Sequence, residues 1–306
     1  MKFLDLFAGI GGFRMGLQQA GDYECIGYIE KDKYARESYE VIYDVQNEWT
    51  AKDVREVEPE GLPDFDLLTA GFPCQSFSIA GKRGGFEDMR GTLIFEVFRL
   101  AKERQPKYLF LENVRGLLSH DGGKTFATIL NALHECGYEF VEWQVCNSKD
   151  FGVPQNRERV FIIGHLRGES TRKVFPIRRK DSKAIKRNQC DVSGKGYDSQ
   201  QGKIKILEGL NTTKEGNSYC IDSNYHKGTS PGDINSGRRT QIKDGLKIRK
   251  LTPLETWRLQ GFPDWAFERA AEVNSDSQLY KQAGNSATIP VVSAIGERLK
   301  DVESVI

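Results

Sequence analysis

Chemistry in this chain starts from a cysteine placed on a loop. Asp66-Leu67-Leu68-Thr69-Ala70 reads as a short buried strand, and Gly71 and Pro73 break it, so Cys74 in Gly71-Phe72-Pro73-Cys74-Gln75-Ser76-Phe77-Ser78 follows the strand's carboxyl end. Ligands bind at that edge of open α/β sheets. A thiol there suits a nucleophile, although a buried cysteine acting as a small hydrophobe fits the same residue type. A second apolar run, Tyr108-Leu109-Phe110-Leu111, ends in Glu112-Asn113-Val114. Glu112 is thereby expected at the same sheet edge, and two reactive side chains on neighbouring strand ends suit one shared site. In Pro154-Gln155-Asn156-Arg157-Glu158-Arg159 the two arginines alternate, so on extended chain both point to one side. Such a guanidinium pair suits phosphates or a base carbonyl; a solvated edge suits it equally.

These groups need elements to carry them. Phe3-Leu4-Asp5-Leu6-Phe7 is a strand, Ala8-Gly9-Ile10-Gly11-Gly12 a glycine-rich turn, and Phe13 to Ala20 a helix. This is the opening of a nucleotide-cofactor fold, but the turn is not G-x-G-x-x-G, which disfavours a pyrophosphate site. A second strand ends in Glu30, 19 residues after Gly11, a spacing suited to ribose hydroxyls. Asp53 follows a third short strand and suits an adenine amino group. Helices are expected from Thr92 to Glu103, stopped by Gln105-Pro106, and from Lys124 to Cys136. Strands are expected over Tyr138–Cys146 and Arg159–Gly164. Thr252 and Pro253 are N-cap and first residue of a helix that ends at Gln260. Gln282 to Pro290 reads as a loop leading into a last helix, to about Leu299, with an apolar stripe.

Composition is ordinary, 38% hydrophobic and 28% charged over 306 residues. No run reaches the roughly 18 apolar residues of a membrane span, and an intracellular protein is expected. The six cysteines include no C-x-x-C pair, and the four histidines are scattered, so no zinc site or disulfide framework is expected. Charge is uneven. Arg167 to Lys250 holds 20 Lys/Arg against 9 Asp/Glu, a net of +11, while the remainder carries −10. That asymmetry suits a polyanion partner. Periodicity also dissolves there, among ten glycines. Asn224, Tyr225, His226 and Lys227 mix hydrogen-bonding and aromatic side chains suited to base edges, with Arg238 and Arg239 for guanine or phosphate.

With these residues in order, the chain resembles the cytosine-C5 DNA methyltransferases of bacterial restriction-modification systems. The resemblance rests on Phe3–Gly12, Gly71–Ser78, Glu112–Val114, Gln155–Arg159, Arg249–Pro263 and Gln282–Pro290, and spares only the basic region. It implies a Rossmann-like mixed α/β sheet flanked by helices, with a small, irregular, β-rich recognition domain. The expected division is 1–166 catalytic and cofactor-binding, 167–250 target recognition, and 251–306 a segment returning to the first domain. It implies S-adenosylmethionine as methyl donor, with Phe7, Gly9, Gly11, Glu30, Asp53, Pro73, Leu93, Asn285 and Ala287 at the matching cofactor positions. The implied chemistry is attack by Cys74 on C6 of a flipped-out cytosine, with Glu112 on N3 and the 4-amino group, Arg159 on O2 and Arg157 supporting the site. The loop at Gly81–Gly85 closes over the base, and Gln75 and Ser78 join the DNA-contacting residues. Double-stranded DNA is the expected partner of a cytoplasmic, nucleoid-associated monomer with no obligatory protein partner and no membrane contact, guarding DNA against a cognate endonuclease.

Four other readings compete. The tRNA-methylating branch of the family carries a Cys-Phe-Thr block, which this sequence lacks. A zinc deaminase needs P-C-x-x-C and H-x-E, and neither is present. A nicotinamide oxidoreductase accounts for the glycine turn and Glu30, but not for Cys74, Glu112 and the basic region. A DNA-binding module without activity has no use for an intact Cys74 and Glu112.

Overall fold

The computed structural model describes residues 1–73, 92–178, 212–227, 239–244 and 247–303. Cys74, Gln75, Ser78, the Gly81–Gly85 loop and Arg238 lie outside them.

Strand β1 (Lys2–Leu6) is the centre of the sheet, and everything after Lys2 in it is buried. It lies parallel to β2 (Glu24–Ile29) on one side and to β4 (Leu67–Gly71) on the other. The outer strand on the first side is β3 (Trp49–Ala51), and β5 (Tyr108–Val114) follows β4, all parallel. Beyond β5 come β8 (Glu158–His165), antiparallel, and β6 (Phe140–Asn147) at the edge. The order β3-β2-β1-β4-β5-β8-β6 reverses direction of progress at β1 and β4. Their carboxyl ends therefore flank a crevice, the place where open α/β sheets take ligands.

Period-two alternation splits the apolar residues between the faces. Leu4, Leu68, Leu109, Leu111 and Ile162 pack under α3 (Leu93–Arg104) and α4 (Lys124–Glu135) through Val97, Phe98, Ile129 and Leu133. Phe3, Leu67, Phe110 and Ile163 face α1 (Gly12–Ala20) and α8 (Ile289–Glu303), through Phe13, Leu17, Ile295 and Leu299. The last helix is thus fastened to the first, and the Tyr23 hydroxyl donates to the Gly296 carbonyl at 2.7 Å.

Four further helices complete the rim. Asp32 caps α2 (Lys33–Ile42) by accepting from the Tyr34 and Ala35 amides. Thr252 and Glu255 form a capping box on α5 (Pro253–Arg258). Then follow α6 (Asp264–Val273) and α7 (Asp276–Asn285), which pack with α2 through Tyr39, Ile42, Ala266, Ala270 and Leu279. The sequence reading is corrected here: Gln282–Asn285 is the last turn of α7, and the break before α8 is only Ser286–Thr288. In the basic region, β9 (Ser218–Tyr219) pairs with β7 (Gln155–Asn156), and β10 (Gln241–Asp244) forms a hairpin with β11 (Lys247–Lys250). Among the described residues no helix is long and apolar enough to cross a membrane.

Candidate active site

The glycine turn after β1 is held from the cavity side by an acid. Glu30, just past β2, accepts from the Gly9 amide through Oε2 and from the Asp32 amide through Oε1, both at 2.7 Å. Burial pushes the Glu30 carboxyl up from its ordinary value, against the pull of those amides. The turn and Glu30 open on a cavity of about 740 Å³ at the β1/β4 switch point. Of the sequence-predicted cofactor residues, Phe7, Gly9, Glu30, Asp53, Pro73, Leu93 and Asn285 line it. Two do not. Gly11 lies behind the turn, against the Tyr43 ring, and Ala287 belongs to the core between α1 and α8. Asp53 is already engaged: Arg55 Nε and Nη2 reach its two oxygens at 2.9 and 2.5 Å, and Lys31 Nζ donates at 2.8 Å. These cations hold its carboxyl well below the usual range, the bond to Arg55 foremost.

The other wall is made by strand ends. Register places Gly71 of β4 beside Glu112 of β5. Because β8 runs antiparallel to β5, its start lies at the same edge, with Arg159 opposite Val114. Arg159 Nε stands 3.1 Å from Glu112 Oε1, and both side chains are largely buried. Asn113 ties the two strand ends: its Nδ2 donates to the Phe72 carbonyl at 2.9 Å and its Oδ1 accepts from the Val114 amide at 2.8 Å. Pro73 follows directly, on a backbone pinned to the Glu112 strand. Arg157 also lines the cavity, with its two terminal nitrogens bonded to backbone carbonyls and its Nε without a hydrogen-bond partner among the described residues. It is 1% exposed, and its guanidinium donates to the carbonyls of Ile221, Gly284 and Ser286 at 2.9, 3.0 and 2.8 Å. Alternation along one extended strand does not describe the pair, because β7 ends before Arg157 and β8 starts after it; Arg157, expected to support the site, bonds the carbonyls around it.

The profile of the family described as C-5 cytosine-specific DNA methylase matches residues 1–301. The chain belongs to this family. It is 39% identical to the type II methyltransferase M.HpaII of Haemophilus parainfluenzae, over 97% of this chain and 88% of that one. It is 38% identical to M1.ScrFI of Lactococcus lactis subsp. cremoris, over 98% and 78%. Among solved structures it shares its fold with S. pombe Dnmt2 methyltransferase (TM-score 0.67, 19% identity, 98% and 99% covered). A putative DNA modification methyltransferase encoded within an E. coli prophage is also similar (TM-score 0.63, 18% identity, 99% of each chain). The chain is thus a DNA (cytosine-5-)-methyltransferase of the type II restriction-modification kind.

Among the residues that line the cavity of this methyltransferase without having been assigned to it from the sequence are Asn113, Ser223 and Lys281. Asn113 sits inside the Glu112–Val114 block and was legible there. Lys281, which donates to Asp32 at 2.5 Å, carried no local signal. Of the expected DNA-contacting residues, Asn224 and Lys227 are exposed, and His226 is half-buried. Tyr225 is corrected to a core residue: it is 1% exposed, donates to the Thr240 carbonyl at 2.6 Å and accepts from the Leu251 amide at 3.2 Å. Its hydroxyl is used inside the fold. Arg239 Nη2 donates to the Asn224 carbonyl at 3.3 Å.

Proposed function

We propose that this methyltransferase acts on a cytosine flipped out of a specific short duplex sequence, with Cys74 as nucleophile and S-adenosylmethionine in the β1/β4 cavity. The observation that carries the reading is the convergence of Glu112 and Arg159 on the same cavity as the Gly9 turn and Glu30. The lining fits such a cofactor by its chemistry. Acids stand at Glu30 and Asp53, apolar contacts at Ile29 and Val54, and cations at Lys31, Lys52 and Lys281, matching a molecule with a ribose, an adenine and a zwitterionic end. Bound there, the cofactor supplies an electrophilic methyl group.

The chain's own residues make cytosine ready for it. C5 of cytosine is a weak nucleophile; attack of the Cys74 thiolate on C6 makes C5 enamine-like, and once C5 is methylated a base removes the C5 proton and the Cys74–C6 bond breaks, restoring the ring and the thiolate. Glu112 bonds N3 and the 4-amino group and favours N3 protonation as charge develops. Arg159 holds O2. Neither group reaches a stacked base, so the base must leave the duplex. Residues 1–166 serve as catalytic domain, 167–250 as the recognition domain whose +11 charge meets phosphate, and 251–306 as the segment that closes the cofactor cavity. The enzyme works as a monomer and shields DNA from a cognate endonuclease.

Bisulfite sequencing of mixed-sequence duplex DNA, after incubation with the protein and S-adenosylmethionine, tests this. Protection in one short context, abolished in Cys74→Ala, is the expected result. Uniform conversion by a protein that binds the cofactor, or full protection by Cys74→Ala, overturns it.

A further inference from the structure

The glycine turn is held from behind as well as from the cavity. Gly11 has φ +80°, in the left-handed region, and its amide donates to the Ala8 carbonyl at 2.8 Å. Behind it stands Tyr43, just after α2, whose hydroxyl donates to the Gly11 carbonyl at 2.9 Å and approaches the Ile10 carbonyl at 3.4 Å. A Cβ at Gly11 would overlap the Tyr43 ring, so glycine is required there by close approach as well as by φ.

Tyr43 is itself fixed. The Arg14 guanidinium lies over its ring, 4.3 Å from the centroid. Arg14 grips Glu48 with two parallel bonds of 2.7 and 2.6 Å. Arg14 is 6% exposed and the Glu48 side chain 13%. A bidentate pair this buried fixes the guanidinium plane. The turn at Gly9–Gly11 is therefore clamped between the Glu30 carboxylate on one side and the Tyr43 hydroxyl on the other. Nothing in this brace touches the strand ends that carry Glu112 and Arg159.

We infer that Tyr43, held by Arg14 and Glu48, is a positioning residue for the methyl donor, setting the backbone of Gly9 and Ile10 where they line the cofactor cavity. The inference rests on the reading that S-adenosylmethionine binds in that cavity. Removing the hydroxyl leaves the Gly11 carbonyl with the Met15 amide, at 2.8 Å, as its remaining donor and frees the turn from its brace, so the cost falls on cofactor affinity. One hydrogen bond of ordinary net worth corresponds to about a fivefold change in a binding constant.

The test compares Tyr43→Phe with Tyr39→Phe in the full chain. Tyr39 belongs to the same aromatic cluster, stacked on Tyr28 and tilted on Tyr43, but among the described residues its hydroxyl meets Arg14 and Cys25 and not the turn. Titration calorimetry with S-adenosylhomocysteine should show Kd raised about fivefold in Tyr43→Phe, and within about twofold of wild type in Tyr39→Phe. KM for S-adenosylmethionine should rise with it, while kcat at saturating cofactor and KM for DNA stay put. Equal weakening in both variants, unchanged Kd in Tyr43→Phe, or a loss confined to kcat overturns the assignment. A wild-type protein that does not bind S-adenosylhomocysteine overturns the cofactor reading itself, and with it the inference.

Discussion

At the scale of single residues the Glu112–Arg159 pair is the most informative contact. The Glu112 carboxylate stands 3.1 Å from the Arg159 guanidinium, placed to accept from a proton-bearing ring nitrogen when a base arrives. Gln at 112 keeps the shape and one acceptor, but it carries no charge to stabilise a protonated N3 and none to balance Arg159. Under the proposed mechanism, Glu112→Gln lowers kcat by about 10² to 10⁴, the usual span for a general acid–base group. KM for S-adenosylmethionine changes little, because Glu112 stands at the strand-end wall and Glu30 at the turn. Steady-state transfer of labelled methyl to duplex DNA reads both. A kcat within threefold of wild type would remove Glu112 from the chemistry.

At the scale of elements, the sheet was legible and the joints between elements were not. Apolar runs marked β1, β4 and β5, and the Thr252-Pro253 start marked α5, because each signal is local. Helix α2 carried a usable signal that the reading passed over: an Asp32 cap followed by Ala35, Tyr39 and Ile42 at helical spacing. Helix α6 buries only Ala266 and Ala270, too little apolar surface to mark a stripe. Arg157 shows the harder limit. The carbonyls it bonds are 64 to 129 residues away in sequence, so the alternation with Arg159 carried no sign of them. Arg157 joins the β7–β8 break to the basic region at Ile221 and to the end of α7 at Gly284. The same joint forces glycine at 284, where a Cβ would overlap the Asp222 backbone. Arg157→Met should therefore cost stability first, about 3 kcal/mol or more, since buried carbonyls lose their donors. Urea unfolding measures it. An unchanged urea midpoint with kcat abolished would instead return Arg157 to the reacting centre.

At the scale of the whole molecule, buried charge sets how stability answers to pH. Asp5 lies at the middle of the sheet, fully buried; Thr69 donates to its Oδ1 at 2.7 Å and its Oδ2 has no hydrogen-bond partner among the described residues. Burial pushes its carboxyl up to about 7; Arg14 pulls the other way, while Glu30 and Glu48 add to the rise. The folded state then holds a proton that the unfolded chain, with an ordinary Asp, releases near 3.8. That contribution is complete below the unfolded value and is lost as pH rises through the folded one, about 1.4 kcal/mol for each pH unit between them. Other carboxylates act in the opposite sense. Arg55 holds Asp53 low, and Arg258 holds Asp264 low, so their contributions are lost as pH falls through the acid range. A stability maximum on the acid side of neutrality follows. Asp5→Asn removes one limb: between pH 5 and 7 its unfolding free energy should fall by about 2 to 3 kcal/mol less than that of the wild type. Urea titrations at the two pH values measure the difference. Parallel slopes would mean that Asp5 is ionised throughout, its charge balanced by Arg14 across the buried network.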